Sequence, residues 1–270
     1  EQHLILFGSI KNVQQAKYEL LRSVPADGLI ITNADNALCT EFLPELTCQN
    51  QQTFGSDLDH RPTLLIEEAG YRKGYMSARF TYDGREWHLT APVIGAHQAS
   101  NLAPAVMAAR HLGLSPEAIT VAAATLPAGD HGLRVIQFGQ ATIIDDSYNS
   151  NPAGFSAALE ILGSFPSSYA RVVITRGMME LGDRHDELHE TIAEEIAFFA
   201  DTLVVITPDA TAALQRGVAK LRDKFHLNIQ EIYDPAALRA YLLGLKETNS
   251  VILLENRVPE SIRTLISGTH

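Results

Sequence analysis

From Arg134 onward, short continuous apolar runs alternate with longer stretches of helical periodicity, and few architectures accept that pattern. Strands are expected at 134–138, 141–144, 171–175, 202–206, 229–232 and 251–254, several of them continuous apolar runs. Helical stretches fall near 153–163, 186–200, 209–223, 235–245 and 259–267. Strands apolar at successive positions are covered on both faces, the signature of a parallel sheet rather than a half-solvated antiparallel one. The expectation is an α/β fold in which residues 132–270 form a doubly wound domain. The breaker-rich stretch Pro127-Ala128-Gly129-Asp130-His131-Gly132 marks the boundary, leaving residues 1–131 as a first domain.

That first domain is less regular. His3 to Phe7 reads as a strand, and 11–23 as an amphipathic helix with Val13, Ala16, Leu20 and Leu21 on one face. Residues 28–33 and 64–66 read as strands. Asp83-Gly84 between 75–81 and 86–90 is a hairpin turn signal. A helix at 98–112 stops at Gly113, and Ser115-Pro116-Glu117 opens another.

Within this frame one turn concentrates polar chemistry. The run Ile143-Ile144-Asp145-Asp146-Ser147-Tyr148-Asn149-Ser150-Asn151-Pro152 leaves a buried strand, passes small polar side chains and enters a helix at proline. Ligands of α/β sheets bind beyond the carboxyl ends of strands, where helix N–H groups also point outward. A helix cap needs only one Asx or Ser residue; two carboxylates, a phenol and two amides exceed that need. Gly177-Met178-Met179-Glu180-Leu181-Gly182 follows another strand and faces the same edge, as a binding loop or a plain connection. Gly95-Ala96-His97-Gln98-Ala99-Ser100-Asn101 opens a helix, where the amides can cap it or read an adenine edge. Arg134 can clamp phosphate or hydroxyls through its planar fork, or form a surface ion pair. Lys17 and His3 attract no notice on spacing alone.

The net charge of −11 argues against nucleic-acid or anionic-membrane partners. Cys39 and Cys48 have neither metal-ligand spacing nor a disulfide framework, which fits a reducing, cytoplasmic setting. No apolar run approaches the roughly 18 residues of a membrane span. The chain contains no Gly-x-x-x-x-Gly-Lys-Ser/Thr loop, dinucleotide fingerprint or nucleophile elbow.

Taken in order, His3-Leu4 with Phe7-Gly8-Ser9, Ala16-Lys17-Tyr18-Glu19, Gly95 to Asn101, Arg134, Asp145 to Pro152, and Gly177 to Gly182 with His189 resemble the Mur ligase family. These are ATP-dependent amino-acid and peptide ligases of peptidoglycan synthesis. The likeness spans nearly the whole chain and is strongest to members that join D-Ala-D-Ala to a UDP-MurNAc-tripeptide. It implies the later part of a central ATPase domain followed by a Rossmann-like C-terminal domain, with the phosphate loop and one metal-binding acid before Glu1. On that reading the chain is a fragment that does not turn over ATP unaided.

By the same resemblance, Lys17 matches a catalytic lysine that is carbamylated in several members and then ligates Mg²⁺, and His3 matches a histidine at the second Mg²⁺. Asn101 recognises adenine, Arg134 and Asp146 contact ribose and phosphates, and Tyr148, Asn149 and Asn151 lie near the amine-side substrate. ATP and Mg²⁺ are the implied cofactors, UDP-MurNAc-peptide and D-Ala-D-Ala the partners, and a monomer the expected state. Departures from the family pattern mark a divergent subgroup: Gln98 for Asn, Ile5-Leu6 for Glu-Gly, Leu133 for Gly, and Leu254-Glu255-Asn256-Arg257 for a Lys-Gly-Ser element. Two rival readings remain, a nucleotide- or peptide-binding module without turnover and a folylpolyglutamate-synthase-like ligase.

Overall fold

The structure, a computed structural model, describes residues 4–72, 74–126, 133–148 and 150–267. His3, Asn149 and the breaker-rich stretch at 127–132 lie outside the described residues. The chain divides into two compact units, one of Ser9–Gly129 and one of Asp130–His270 together with Glu1–Gly8.

The residues read as an opening strand form instead a short helix, α1 (Leu4–Phe7), ended by Gly8 at φ 75°. A brief apolar run carries no periodicity that separates helix from strand, and Leu6 and Phe7 are exposed rather than buried. Ser9 then caps α2 (Ile10–Arg22) by accepting from the Asn12 N–H.

The face of α2 also differs from expectation. Its buried residues are Gln14 and Tyr18, while Leu20 is exposed. Gln14 donates to the Leu38 carbonyl and the Glu41 carboxylate, and the Tyr18 hydroxyl donates to the Cys39 carbonyl. These bonds tie α2 to the loop after β1 (Ile30–Asn33) and the short α3 (Ala37–Thr40). Polar anchoring, which a hydrophobic pattern cannot show, thus turns the helix away from its apolar stripe.

The first unit's sheet runs β1, β2 (Gln51–Gly55), β3 (Leu64–Arg72), β4 (Tyr75–Tyr82) and β5 (Arg85–Ala91) in spatial order. Its first three strands are parallel and its last three antiparallel. The β4–β5 turn puts Asp83 at φ 54° and Gly84 at φ 66°, the left-handed pair that a tight hairpin demands. Two helices, α4 (Gln98–His111) and α5 (Pro116–Ala124), complete the unit. Ile30 clusters with Tyr18 of α2, whereas Ile31 packs against the cluster that includes Ala99, Ala103 and Met107 of α4. Neighbouring strand residues point to opposite faces, so α2 and α4 cover opposite sides of this sheet.

The second unit holds β6 (Arg134–Phe138), β7 (Ala141–Asp146), α6 (Pro152–Gly163), β8 (Ala170–Thr175), α7 (His185–Phe199), β9 (Thr202–Val205), α8 (Thr211–Ala219), β10 (Asn228–Glu231), α9 (Pro235–Leu245), β11 (Ser250–Glu255) and α10 (Glu260–Ser267). The sheet order is β10-β9-β8-β11-β7-β6, parallel except for β6. Ile143, Ile174, Val204, Ile252 and Leu254 pack with Leu238 and Leu242 of α9 and Ile262 and Ile266 of α10. The alternating residues Ile144, Val173, Leu203, Val251 and Leu253 are equally buried, and α6 lies against β7 and β11. Both faces are therefore covered, as the apolar runs required. Because β11 returns between β8 and β7, the direction of winding reverses there. A doubly wound sheet opens its ligand crevice at such a reversal, beyond the carboxyl ends of the strands.

Candidate functional site

Three adjacent strands end at that reversal with polar residues in register. Glu255 of β11 pairs with Asp146 of β7 on one side and Thr175 of β8 on the other. Strand partners in register share a face, so a carboxyl, a second carboxyl and a hydroxyl stand in a row.

Asp145 and Asp146, consecutive in the strand, take separate tasks. Asp145 is almost fully buried; its carboxylate accepts from Arg134 at 2.5 Å and from the Ser147 hydroxyl and backbone N–H. Arg134 is held there by the antiparallel register that places it opposite Asp145, with half of its side chain exposed. Asp146 faces the other way and is mostly buried. Burial, and then the neighbouring Asp145 charge, push its pKa up to about 6, against the pull of a hydrogen bond with Glu255.

After the strand, Tyr148 is exposed and Asn151 caps α6 by accepting from the Gly154 N–H at 3.0 Å. Pro152 occupies the first helical position, where its missing N–H costs nothing. The bland role for Asn151, helix capping, is thus filled by its side-chain oxygen.

The loop after β8 is fixed by a buried histidine. His189 of α7 accepts from the Met178 N–H at 2.8 Å through Nε2, so its Nδ1 carries the proton and donates to the His185 carbonyl at 2.7 Å. Burial lowers its pKa, which keeps the ring neutral. Asn256, at φ 58°, donates its amide to the Gly177 carbonyl at 2.6 Å, and Gly177 donates its N–H to Thr175. The loops after β8 and β11 are thereby tied together along the same edge.

In the Ser9–Gly129 unit, Lys17 projects exposed from α2 and Asn101 lies exposed in the first turn of α4. Asn101 donates to Gln98, which in turn pairs with His97 at 3.0 Å. His97 stands at the cap position without a side-chain cap bond, so these side chains bond to one another rather than cap. At the carboxyl end of β1, Asp35 accepts from the Ser56 N–H and hydroxyl and the Asp57 N–H. Burial raises its pKa, but these donors together hold it below the usual value.

The structure therefore gathers Arg134, Asp146, Tyr148 and Asn151 around the end of β7, and puts Lys17 and Asn101 on separate helices of the other unit. Glu255, Ser150, Thr175 and Asn256 escaped selection as site residues. Glu255 had a signal: Val251-Ile252-Leu253-Leu254 followed by Glu-Asn repeats the apolar-run-then-polar grammar of Ile143-Ile144-Asp145-Asp146. Among the described residues no three His, Cys, Asp or Glu side chains converge as a metal site, and no helix is long and apolar enough to cross a membrane.

A Rossmann-like sheet with a carboxylate-rich edge, preceded by a mixed α/β unit, defines a two-part α/β protein. The Mur ligase middle domain matches residues 1–109, and the Mur ligase glutamate ligase domain matches residues 133–255. The chain belongs to the Mur ligase family. It is 26% identical over 191 residues to the UDP-N-acetylmuramoyl-tripeptide–D-alanyl-D-alanine ligase of Bacillus subtilis, covering 70% of this chain and 40% of that protein. Against the enzyme of the same name from Synechocystis it is 30% identical over 223 residues, covering 80% and 46%. The chain spans less than half the length of these two relatives.

Among solved structures, the MurF ligase of Thermotoga maritima in complex with ADP superposes with a TM-score of 0.78 at 20% identity, over 100% of this chain and 61% of that one. The Acinetobacter baumannii MurF gives 0.80 at 22% identity, over 98% and 56%. At these identities the structural likeness speaks for the fold.

Proposed function

We propose that this chain is the adenine- and amine-handling part of an ATP-dependent carboxylate–amine ligase that adds D-Ala-D-Ala to UDP-MurNAc-tripeptide in peptidoglycan precursor synthesis. The observation that carries the reading is the end of β7. There a half-exposed Arg134, the part-buried Asp146 and the capped start of α6 stand at the winding reversal of a family-matched Rossmann-like domain.

In this reading Arg134 and Asp146 meet the ribose and phosphates of ATP, and Asn101 presents an amide to adenine. Tyr148, Asn149 and Asn151 attend the amine substrate, Asn151 with its amide nitrogen because its oxygen is bonded to Gly154. The substrate carboxylate oxygen attacks the γ-phosphorus of ATP and ADP departs, leaving an acyl phosphate. The amine nitrogen then forms the amide bond as phosphate leaves and a nitrogen-bound proton is lost. The guanidinium of Arg134 offsets charge on the phosphates.

Mg²⁺ belongs to the reading through the family alone, since the described residues of this chain do not close a metal site by themselves. Lys17, exposed on α2 and open to carbamylation, and His3 are the ligands it would contribute. Cys39 and Cys48 are free thiols, which suits the cytoplasm. A monomer, with no nucleic-acid or membrane partner, completes the proposal, with domains at 1–131 and 132–270.

The test is phosphate release by the polypeptide as the cell makes it, supplied with ATP, UDP-MurNAc-tripeptide and D-Ala-D-Ala. Release that requires both acceptor and amine supports the ligase; release indifferent to either substrate overturns it. The 270 residues contain no phosphate-loop motif, and that favours a second reading for this polypeptide alone, a nucleotide- or peptide-binding module without turnover.

A further inference from the structure

Glu255 is completely buried at the carboxyl end of β11, and nothing in the ligase chemistry above uses it. Its Oε1 accepts from the Ser150 hydroxyl at 2.5 Å, a bond between residues 105 positions apart. Its Oε2 is buried with no N–H or O–H donor among the described residues. An ionised carboxylate left so would be among the costliest groups a core can hold. The group that does reach it is another carboxyl. Asp146 is its strand partner, the Asn256 N–H bonds the Asp146 carbonyl at 3.2 Å, and the two side chains are within hydrogen-bonding reach.

Two carboxyl groups can hydrogen-bond only when one carries a proton. We propose that Glu255 is a positioning residue for Asp146, fixing its carboxylate through one proton shared between the two side chains. The pair then bears a single negative charge: Glu255 is the neutral acid, bonded by Ser150 on one oxygen and donating from the other, and Asp146 is the anion. One Asp146 oxygen receives that proton, and the other is turned toward the open edge of the sheet as an acceptor of fixed direction.

Among the described residues no N–H or O–H group hydrogen-bonds the free Glu255 oxygen. Asp145 points to the opposite face and is occupied by Arg134 and Ser147. Thr175 of β8 accepts from Gly177, Asn256 donates to the Gly177 carbonyl, and His189 of α7 is bound on both nitrogens. The first turn of α6 is uncharged, and among the described residues no Lys, Arg or His pairs with either carboxyl. Burial and the neighbouring charge raise the pKa of both members, and Glu255 is the more completely buried of the two, which suits the neutral form there.

The experiment is isotope-edited infrared spectroscopy of the 270-residue chain at neutral pH with ¹³C-carboxyl glutamate, which separates protonated glutamate from protonated aspartate. One protonated glutamate band is expected, shifted in D146N and absent in E255Q. E255Q keeps a donor toward Asp146 and an acceptor for Ser150, so it preserves the geometry without the titrating proton. In E255Q, Asp146 should titrate in a single step, whereas in the parent chain the pair titrates in two coupled steps. A parent chain without a protonated glutamate overturns the proposal, as does a band that survives in E255Q. The S150A variant supplies a further reading, because loss of the Ser150 donor must move the same band; an unmoved band also overturns it.

The consequence for ligand binding rests on the proposed nucleotide role of Asp146, and that role can fail separately. If the band behaves as expected while D146N leaves nucleotide affinity of the whole polypeptide unchanged, the shared proton stands and the nucleotide role falls.

Discussion

Gly177 and His189 touch so closely that a methyl group on residue 177 would fall 2.5 Å from the imidazole Nε2, on the nitrogen that receives the Met178 N–H. The glycine also has φ +83°, a conformation that side chains rarely adopt, and the same methyl would strike Ala210. Gly177→Ala is therefore expected to destabilise the chain by about 2–4 kcal/mol, from backbone strain and overpacking together. Urea unfolding measures the loss. A variant within 0.5 kcal/mol, roughly the surface-substitution range, would show that the loop after β8 is not held this way.

His189 gives the second prediction through its protonation. Burial lowers its pKa, only partly opposed by the hydrogen bond to the His185 carbonyl. The unfolded chain takes up this proton near the ordinary value of about 6.5, and the folded chain only at lower pH. The contribution to stability is full above that value and is lost as pH falls through it toward the folded-state pKa. Asp146 and Glu255 have raised pKa values and act with the opposite sign, favouring low pH. The His189 effect is thus read as the difference between parent and His189→Gln, which should narrow by up to about 1.4 kcal/mol per pH unit below pH ~6.5. Parallel stability curves between pH 5 and 7.5 would contradict a neutral buried imidazole.

How much of this was legible in the sequence depended on whether burial or polar bonding decided each element. The strands of the second sheet could be read because β7, β8, β9 and β11 are apolar on both faces, and only a covered parallel sheet explains that. β2, with Gln51-Gln52-Thr53 half-buried beside β1 and β3, has no such run and was missed. β3 continues past Ile66 through Glu67 and Glu68 because Arg79 and Thr81 of β4 bond to them, a cross-strand fact with no local sequence trace. Asp146 is visible in the sequence as part of a polar turn. Its partner Glu255, 109 positions later, became visible only when the return of β11 between β7 and β8 brought the two strand ends together.

Arg134 supplies the third prediction. Removing it leaves the buried Asp145 carboxylate with only Ser147, so Arg134→Ala should cost about 1–3 kcal/mol of stability. Under the proposed function it should also weaken nucleotide binding by the whole polypeptide. Arg134→Lys should not restore both effects, because an ammonium lacks the planar fork that can serve Asp145 and a phosphate together. Thermal unfolding beside nucleotide titration checks both; unchanged stability in Arg134→Ala would mean that Asp145 does not depend on the pair.

Under the proposed function, Asn151 carries a structural and a substrate-binding duty within one side chain. Its oxygen caps α6 by accepting from Gly154, while its amide nitrogen is the group assigned to the amine substrate. Asn151→Ala removes both and should cost about 1 kcal/mol in stability, the usual value of a lost cap. Asn151→Ser retains a capping oxygen but has no amide, so its stability should stay within a few tenths of a kcal/mol of the parent. In the whole polypeptide, the serine variant should raise the KM for the amine substrate while leaving that for ATP unchanged. A serine variant as unstable as the alanine variant would mean that α6 is not capped through residue 151. One with an unchanged amine KM would confine Asn151 to capping and assign amine recognition to other groups around the end of β7.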